Sequence, residues 1–176
     1  MAKRTANPST SLWSAGGAGF SSRTDDWATP QPVFDALDVE FGFELDACAD
    51  AANAKCARFF TAADDGLAQD WHGTVWLNPP YGRRRAGGIA AWMEKAREAS
   101  ATGATVVCLV PARTDTRWWH ESAMRAAEVR LIRGRLHFGA GHAPAPFPSA
   151  IVVFRPGHSG PPSFSAVNAR DLSARR

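Results

Sequence analysis

Apolar positions along the chain switch between two spacings, and the switching sets out most of the secondary structure. Val33, Phe34, Leu37 and Phe41 recur at the interval of a helix face, with Thr29 suited to the N-cap and Pro30 to the first helical position. Residues 41–46 alternate as a strand does, and residues 58–61 read as a second short strand after a helical turn at 51–57. Thr74 to Leu77, β-branched and aromatic, is expected as a buried strand between Gly73 and a pair of prolines. Ile89, Trp92, Met93 and Ala96 return to helical spacing, with Gly103 as the stop. An unbroken apolar run at 105–110 predicts another buried strand, and Asp115 is placed to cap a helix carrying Trp118, Trp119, Ala123 and Ala126. Strands are expected again at 129–132 and 149–154, joined by a loop with prolines at 144, 146 and 148 that could lean over a site. Strand followed by helix, repeated, is the rhythm of an α/β sheet.

The ends of the chain lie outside this rhythm. Residues 1–25 are rich in Ser, Gly, Ala, Thr and Arg without a sustained period, so a disordered or loosely docked arm is expected, and 156–176 reads as a polar tail with a basic end. Between them, residues 26–155 form the folded domain. A length of 176 residues allows one sizeable core and no second large domain, and 45% hydrophobic with 21% charged residues is ordinary for a globular protein. The formal charge of +3, with a sequence pI near 9.1 and clustered arginines, is compatible with a polyanionic partner, and solubility alone would explain a mildly basic chain too. Cys48, Cys56 and Cys108 are odd in number, include no C-x-x-C and adjoin apolar runs, so reduced thiols in a cytoplasm are expected rather than disulfides or zinc. No apolar signal core or bilayer-length run is visible, so the chain is expected to be neither secreted nor membrane-spanning.

Candidate chemistry centres on Asn78, Pro79, Pro80 and Tyr81, directly after the strand at 74–77. Two prolines cannot donate to a ladder and force Asn78 out of the α region, so the strand must end there in a stiff loop. The Asn78 side-chain oxygen and the Pro79 carbonyl can accept hydrogen bonds from an exocyclic amine, while an exposed Tyr81 ring can stack on a flat heterocycle. Such acceptors favour the positive nitrogen that develops when a delocalised amine attacks a carbon. The four residues resemble the amino-methyltransferase signature in which Asp, Asn or Ser precedes Pro-Pro and an aromatic residue, with S-adenosylmethionine as methyl donor. A proline-rich strand end without chemistry is the plain alternative.

Other polar residues fall at strand ends. Asp46, followed by Ala47, Cys48 and Ala49, combines a carboxylate with small residues that let a ligand approach the backbone, although capping of a following helix would explain it too. Asp65, with Asp64 and Asp70 nearby, could accept from ribose hydroxyls or an adenine amine, and turn chemistry accounts for the acidic-Gly pattern equally well. Arg83, Arg84 and Arg85 beside Tyr81 suit a phosphate clamp, as do Arg113 and Arg135, against the alternative of a solvated face. His137 and His142 lack a third ligand, so no metal site is expected.

In common order, several segments resemble the phage and prophage DNA N-6-adenine-methyltransferases, the small Dam-like enzymes. They are Asp26-Trp27-Ala28-Thr29-Pro30, Leu45-Asp46-Ala47-Cys48-Ala49, Asp65-Gly66-Leu67 with Trp71, Val75-Trp76-Leu77-Asn78-Pro79-Pro80-Tyr81-Gly82, Leu109-Val110-Pro111 with Asp115 to Trp118, Gly134-Arg135-Leu136 with Phe138, and Pro148-Ser149-Ala150. The resemblance covers roughly residues 25 to 155. It implies a class I, Rossmann-like methyltransferase fold: a mostly parallel sheet with an antiparallel edge and helices on both faces. It further implies methyl transfer from S-adenosylmethionine to the N6 amine of adenine in DNA, with the adenine turned out of the duplex, inside a bacterial host cell. By position in the pattern, Asn78, Pro79, Pro80 and Tyr81 would form the catalytic loop, while Thr29, Pro30, Asp46, Ala47 and Asp65 would line the cofactor site. Residues 47–52 depart from the family's glycine-rich turn, having Ala, Cys, Ala, Asp, Ala and Ala instead. Methylation of a protein glutamine, N4 methylation of cytosine, and a noncatalytic DNA-binding role remain as alternatives.

Overall fold

The computed structural model describes residues 27–82, 88–139 and 143–174. Seven strands share one sheet: β1 (Leu45–Asp46), β2 (Arg58–Phe59), β3 (Thr74–Leu77), β4 (Thr105–Pro111), β5 (Glu128–Arg133), β6 (Ser149–Phe154) and β7 (Ser163–Asn168), in the order β2-β1-β3-β4-β6-β5-β7. All neighbouring pairs are parallel except those of β6, which runs antiparallel to both β4 and β5. The fold is therefore the mixed, mostly parallel α/β sheet expected, and β1, β3, β4 and β5 direct their carboxyl ends to the same edge.

Helices cover both faces. On one side α2 (Gly88–Ala101) and α3 (Arg117–Glu121) pack Trp92, Met93, Ala96, Trp118 and Trp119 against Val75, Leu77, Val106, Cys108 and Val152. On the other, α1 (Gln31–Phe41) and α4 (Ala169–Ser173) pack Val33, Phe34, Leu37 and Leu172 against Trp76, Val107, Leu109, Ile151 and Val153. The alternation along β4 assigns successive residues to opposite cores, which is the period-two geometry of a central strand. No helix among the described residues is long and apolar enough to cross a membrane.

Two expectations need correction. Residues 41–46 are not one strand: Phe41 ends α1, Gly42 takes the left-handed C-cap at φ 65°, and only Leu45–Asp46 pairs in the sheet. The apparent alternation comes from Phe34, Phe41 and Phe43, whose rings cluster across the helix end. Residues 156–176 are not simply a tail, because β7 pairs with β5 over six residues and α4 seats Ala169 and Leu172 in the core. Its strand is mostly solvent-exposed, which removes the hydrophobic signal. Residues 1–25, expected as an arm, lie outside the described residues.

The C-terminal correction is measurable. Leu172→Ala should lower the unfolding free energy by roughly 2–3 kcal/mol, as truncation of a buried leucine does. Urea denaturation reads this directly, and a loss below about 0.5 kcal/mol, typical of a surface substitution, would restore the tail.

Candidate active site

Directly after β3 the chain leaves the sheet, and Asn78 becomes the junction of three segments. Its Nδ2 donates to the Trp27 carbonyl oxygen at 2.6 Å and to Thr29 Oγ1 at 2.9 Å. A carbonyl only accepts, so this contact fixes which end of the amide faces it. The Oδ1 is left facing Tyr81, whose hydroxyl donates to it at 2.8 Å and also lies 3.2 Å from the Leu109 carbonyl of β4. One phenolic hydrogen serves both acceptors. Thr29, expected to cap α1, makes no cap hydrogen bond, and the helix begins after Pro30 instead. Its hydroxyl faces Asn78.

Tyr81 differs from its expected role. Its ring is 6% exposed, packed edge-to-face against Phe138 at 6.3 Å and Phe147 at 5.5 Å, and Trp27 completes the cluster with both phenylalanines. The ring offers no open face for stacking in this conformation, because apolar contact and a satisfied hydroxyl together favour its burial. Burial also pushes its phenol pKa above the ordinary value.

A cavity of about 500 Å³ opens beside the loop, lined by Thr29, Asp46, Lys55, Asp65, Asn78 and Pro79 together with Trp27, Pro80 and other residues. That size lies within the roughly 300–1,000 Å³ of small-molecule and cofactor sites. Asp46, 3% exposed, is held by the backbone: Oδ2 accepts from Lys55 N–H at 3.0 Å and Oδ1 from Cys48 N–H at 3.3 Å. Burial raises its pKa, while those two amides and the Lys55 charge oppose the rise. Asp65 has a left-handed backbone, φ 50°, the only non-glycine with positive φ among the described residues, and it is exposed at the cavity.

Gly66 explains how the opposite wall closes. A Cβ there would lie 2.4 Å from the Ala47 carbonyl oxygen and 3.2 Å from the Trp92 ring, so only glycine lets this loop approach β1. Trp71 Nε1 donates to the Gly66 carbonyl at 2.9 Å and its ring stacks near Trp92 at 6.1 Å, bracing the loop from behind. The indole N–H groups of Trp27 and Trp92, both cavity residues, are buried without a hydrogen-bond partner. Buried donors of that kind are costly to the fold.

Of the residues singled out in the sequence, Thr29, Asp46, Asp65, Asn78, Pro79 and Pro80 meet at this cavity, whereas Pro30, Ala47 and Tyr81 stand behind its wall. Asp64 closes a turn, accepting from the Thr61 N–H at 2.8 Å and hydroxyl at 2.6 Å, which holds its carboxyl below the usual range. Arg113 and Arg135 are exposed beyond the carboxyl ends of β4 and β5, on the sheet edge that carries Asn78. Arg83, Arg84, Arg85 and His142 lie outside the described residues. Sequence reasoning missed Trp27, Lys55, Phe60, Gly66 and Trp92 as cavity residues. Trp27 had a signal in its place before Thr29-Pro30, but a lone lysine in a polar stretch carries none.

A sequence profile of the DNA N-6-adenine-methyltransferase (Dam) family matches residues 19–175. This chain belongs to that family. The DNA N-6-adenine-methyltransferase of Escherichia phage T1 is 33% identical over 115 residues, covering 64% of this chain and 46% of the phage protein. The chain thus spans less than half the length of that relative. YfdM of Escherichia coli (strain K12), whose name assigns it provisionally to the methyltransferases, is 43% identical over 65 residues, 32% of this chain and 71% of YfdM. A solved structure from Listeria monocytogenes, described provisionally as a class I S-adenosylmethionine-dependent methyltransferase, aligns with a TM-score of 0.43 at 14% identity, covering 66% of this chain and 43% of that one.

In this Dam-family chain three weak acids, the buried Tyr81 and Cys108 and the partly buried Cys56, define a pH response. Burial raises the Tyr81 phenol and the Cys108 thiol above their ordinary values, and burial with the nearby Asp46 and Asp38 charges pushes Cys56 up to about 12. Above the ordinary thiol range the unfolded chain releases protons that the native chain retains, so stability is present at neutral pH and lost as pH rises. Chemical denaturation between about pH 9 and 11 should show the unfolding free energy falling by up to about 1.4 kcal/mol per pH unit for each such group. Cys108→Ala and Tyr81→Phe should each flatten the slope, and a slope unchanged in both would contradict their burial.

Proposed function

We propose that the protein is an S-adenosylmethionine-dependent methyltransferase acting on the N6 amine of adenine in DNA. The observation carrying this reading is the corner of Asn78, Pro79 and Pro80 opening, at the carboxyl edge of the sheet, onto a cavity shared with Thr29, Asp46 and Asp65. Family membership supports the reaction class, and ligands of open α/β sheets sit at that edge. The donor fits what lines the cavity: carboxylates suit its cationic groups and ribose hydroxyls, and the aromatic rings of Phe60 and Trp92 suit a flat ring. When bound, S-adenosylmethionine supplies an electrophilic methyl group and a neutral thioether leaving group.

The protein's contribution is position and charge stabilisation. Asn78 Oδ1 and the Pro79 carbonyl accept from the adenine amine, orient its lone pair and stabilise the positive nitrogen. Tyr81 is the positioning residue: its hydroxyl holds the Asn78 oxygen while Trp27 and Thr29 hold the nitrogen. Thr29, Asp46 and Asp65 line the donor site, with Pro30 and Ala47 as its backbone support. The adenine reaches the corner by turning out of the duplex, and the methylated amine releases its proton to solvent. Arg113 and Arg135, with Arg83, Arg84 and Arg85, contact phosphates.

Incubation with DNA and radiolabelled donor, followed by nucleoside digestion, should yield N6-methyladenine; label in N4-methylcytosine alone, or no label, overturns the reading. Asn78→Ala should lower turnover by roughly 100- to 1,000-fold while weakening S-adenosylhomocysteine by less than about tenfold. Equal losses in both would move Asn78 to the cofactor side. DNA affinity should fall steeply with salt, and Arg113→Ala and Arg135→Ala should each reduce the log-log slope by about 1. Binding that ignores salt would remove the phosphate contacts.

A further inference from the structure

Lys55 is the only cationic side chain among the described residues lining the cavity, and no carboxylate pairs with it there. Its backbone is anchored, because its N–H donates to Asp46 Oδ2 at 3.0 Å, so the side chain starts beside the buried carboxylate. Its ammonium reaches a neutral acceptor, Gln31 Oε1 at 2.8 Å, at the start of α1 and two positions beyond Thr29. The far end of Gln31 is fixed in turn by Asp35, with Nε2 donating to Oδ1 at 2.7 Å.

The charges of Asp46 and Asp35 act on Lys55, but neither makes an ion-pair contact with it, and the acids nearby are engaged by other donors. Both Asp46 oxygens accept backbone N–H groups, and Asp50 is closed in a turn, accepting from Ala52 at 2.8 Å and from the Asn53 backbone at 3.0 Å and side chain at 2.7 Å. A partly buried ammonium whose hydrogen-bond partner is an amide oxygen binds a carboxylate more strongly, since the carboxylate adds attraction between opposite charges to the hydrogen bond. S-adenosylmethionine carries a single anionic group, the α-carboxylate.

We infer that the Lys55 ammonium binds the α-carboxylate of the donor's methionine portion, exchanging the Gln31 amide oxygen for it. This rests on the methyltransferase reading of the cavity and adds an orientation to it. The amino-acid end of the donor then lies toward Lys55, beside Asp46.

Calorimetric titration with S-adenosylhomocysteine and with its decarboxylated analogue, which lacks only the carboxylate, tests the contact without turnover. The wild type should prefer S-adenosylhomocysteine by roughly 10- to 100-fold, the worth of one charge-assisted contact. Lys55→Met should abolish that preference while binding the decarboxylated analogue as the wild type does, and Lys55→Arg should restore part of it. Full discrimination in Lys55→Met, or equal loss of both ligands, would overturn the contact and assign Lys55 to loop support. A wild type that binds neither ligand overturns the methyltransferase reading itself, and the inference falls with it.

Discussion

The site depends on one primary amide. Asn78 ties the end of β3 to Trp27 and Thr29, 51 and 49 residues earlier, and through Tyr81 to the end of β4. The ladder joins β3 to β4 as far as Leu77 and Cys108, but none joins either strand to the Trp27–Thr29 segment, so the corner beyond the ladder rests on side-chain hydrogen bonds in a partly buried setting. Each contributes about 1 kcal/mol net, but leaving a buried partner unsatisfied costs more, so the network is held chiefly by what its loss would expose. The two prolines make the arrangement affordable, since a loop already stiff loses little further entropy on being fixed.

The parts of the fold that were plain in the sequence are those where burial dictates composition. All six residues of β6 are buried, as are the last six of β4, and such strands must be written in apolar residues whatever their neighbours. β7 is held by its ladder to β5 with little burial, so nothing in its composition marks it. The aromatic run at 41–43 misleads for the opposite reason, because ring packing across a helix end produces the alternation of a pleat.

Within the site, the sequence identified residue types better than their roles. Thr29 has the side chain of an N-cap, but the same hydroxyl is used in a tertiary contact with Asn78, 49 residues away. Tyr81 has the shape of a stacking platform, yet Phe138 and Phe147, more than fifty residues downstream, cover it. In each case a distant partner decided between two uses that local pattern left equal. Lys55 was invisible because its significance lies in a missing partner, which only a three-dimensional inventory of charges exposes.

The unfavourable features of the molecule are not spread evenly. A buried carboxylate with a raised pKa, a non-glycine residue in the left-handed region, a loop so close to β1 that only glycine fits, and two partnerless indole N–H groups all belong to one cavity. Left-handed non-glycine backbone and unpaired buried donors each cost on the order of 1–3 kcal/mol, against a typical total stability of about 5–15 kcal/mol. A sequence selected only for folding would remove such costs one by one. Their concentration around a space that also carries a cation without an ion pair and a rigid acceptor corner is the physical mark of a functional region rather than of folding alone, independently of any family resemblance.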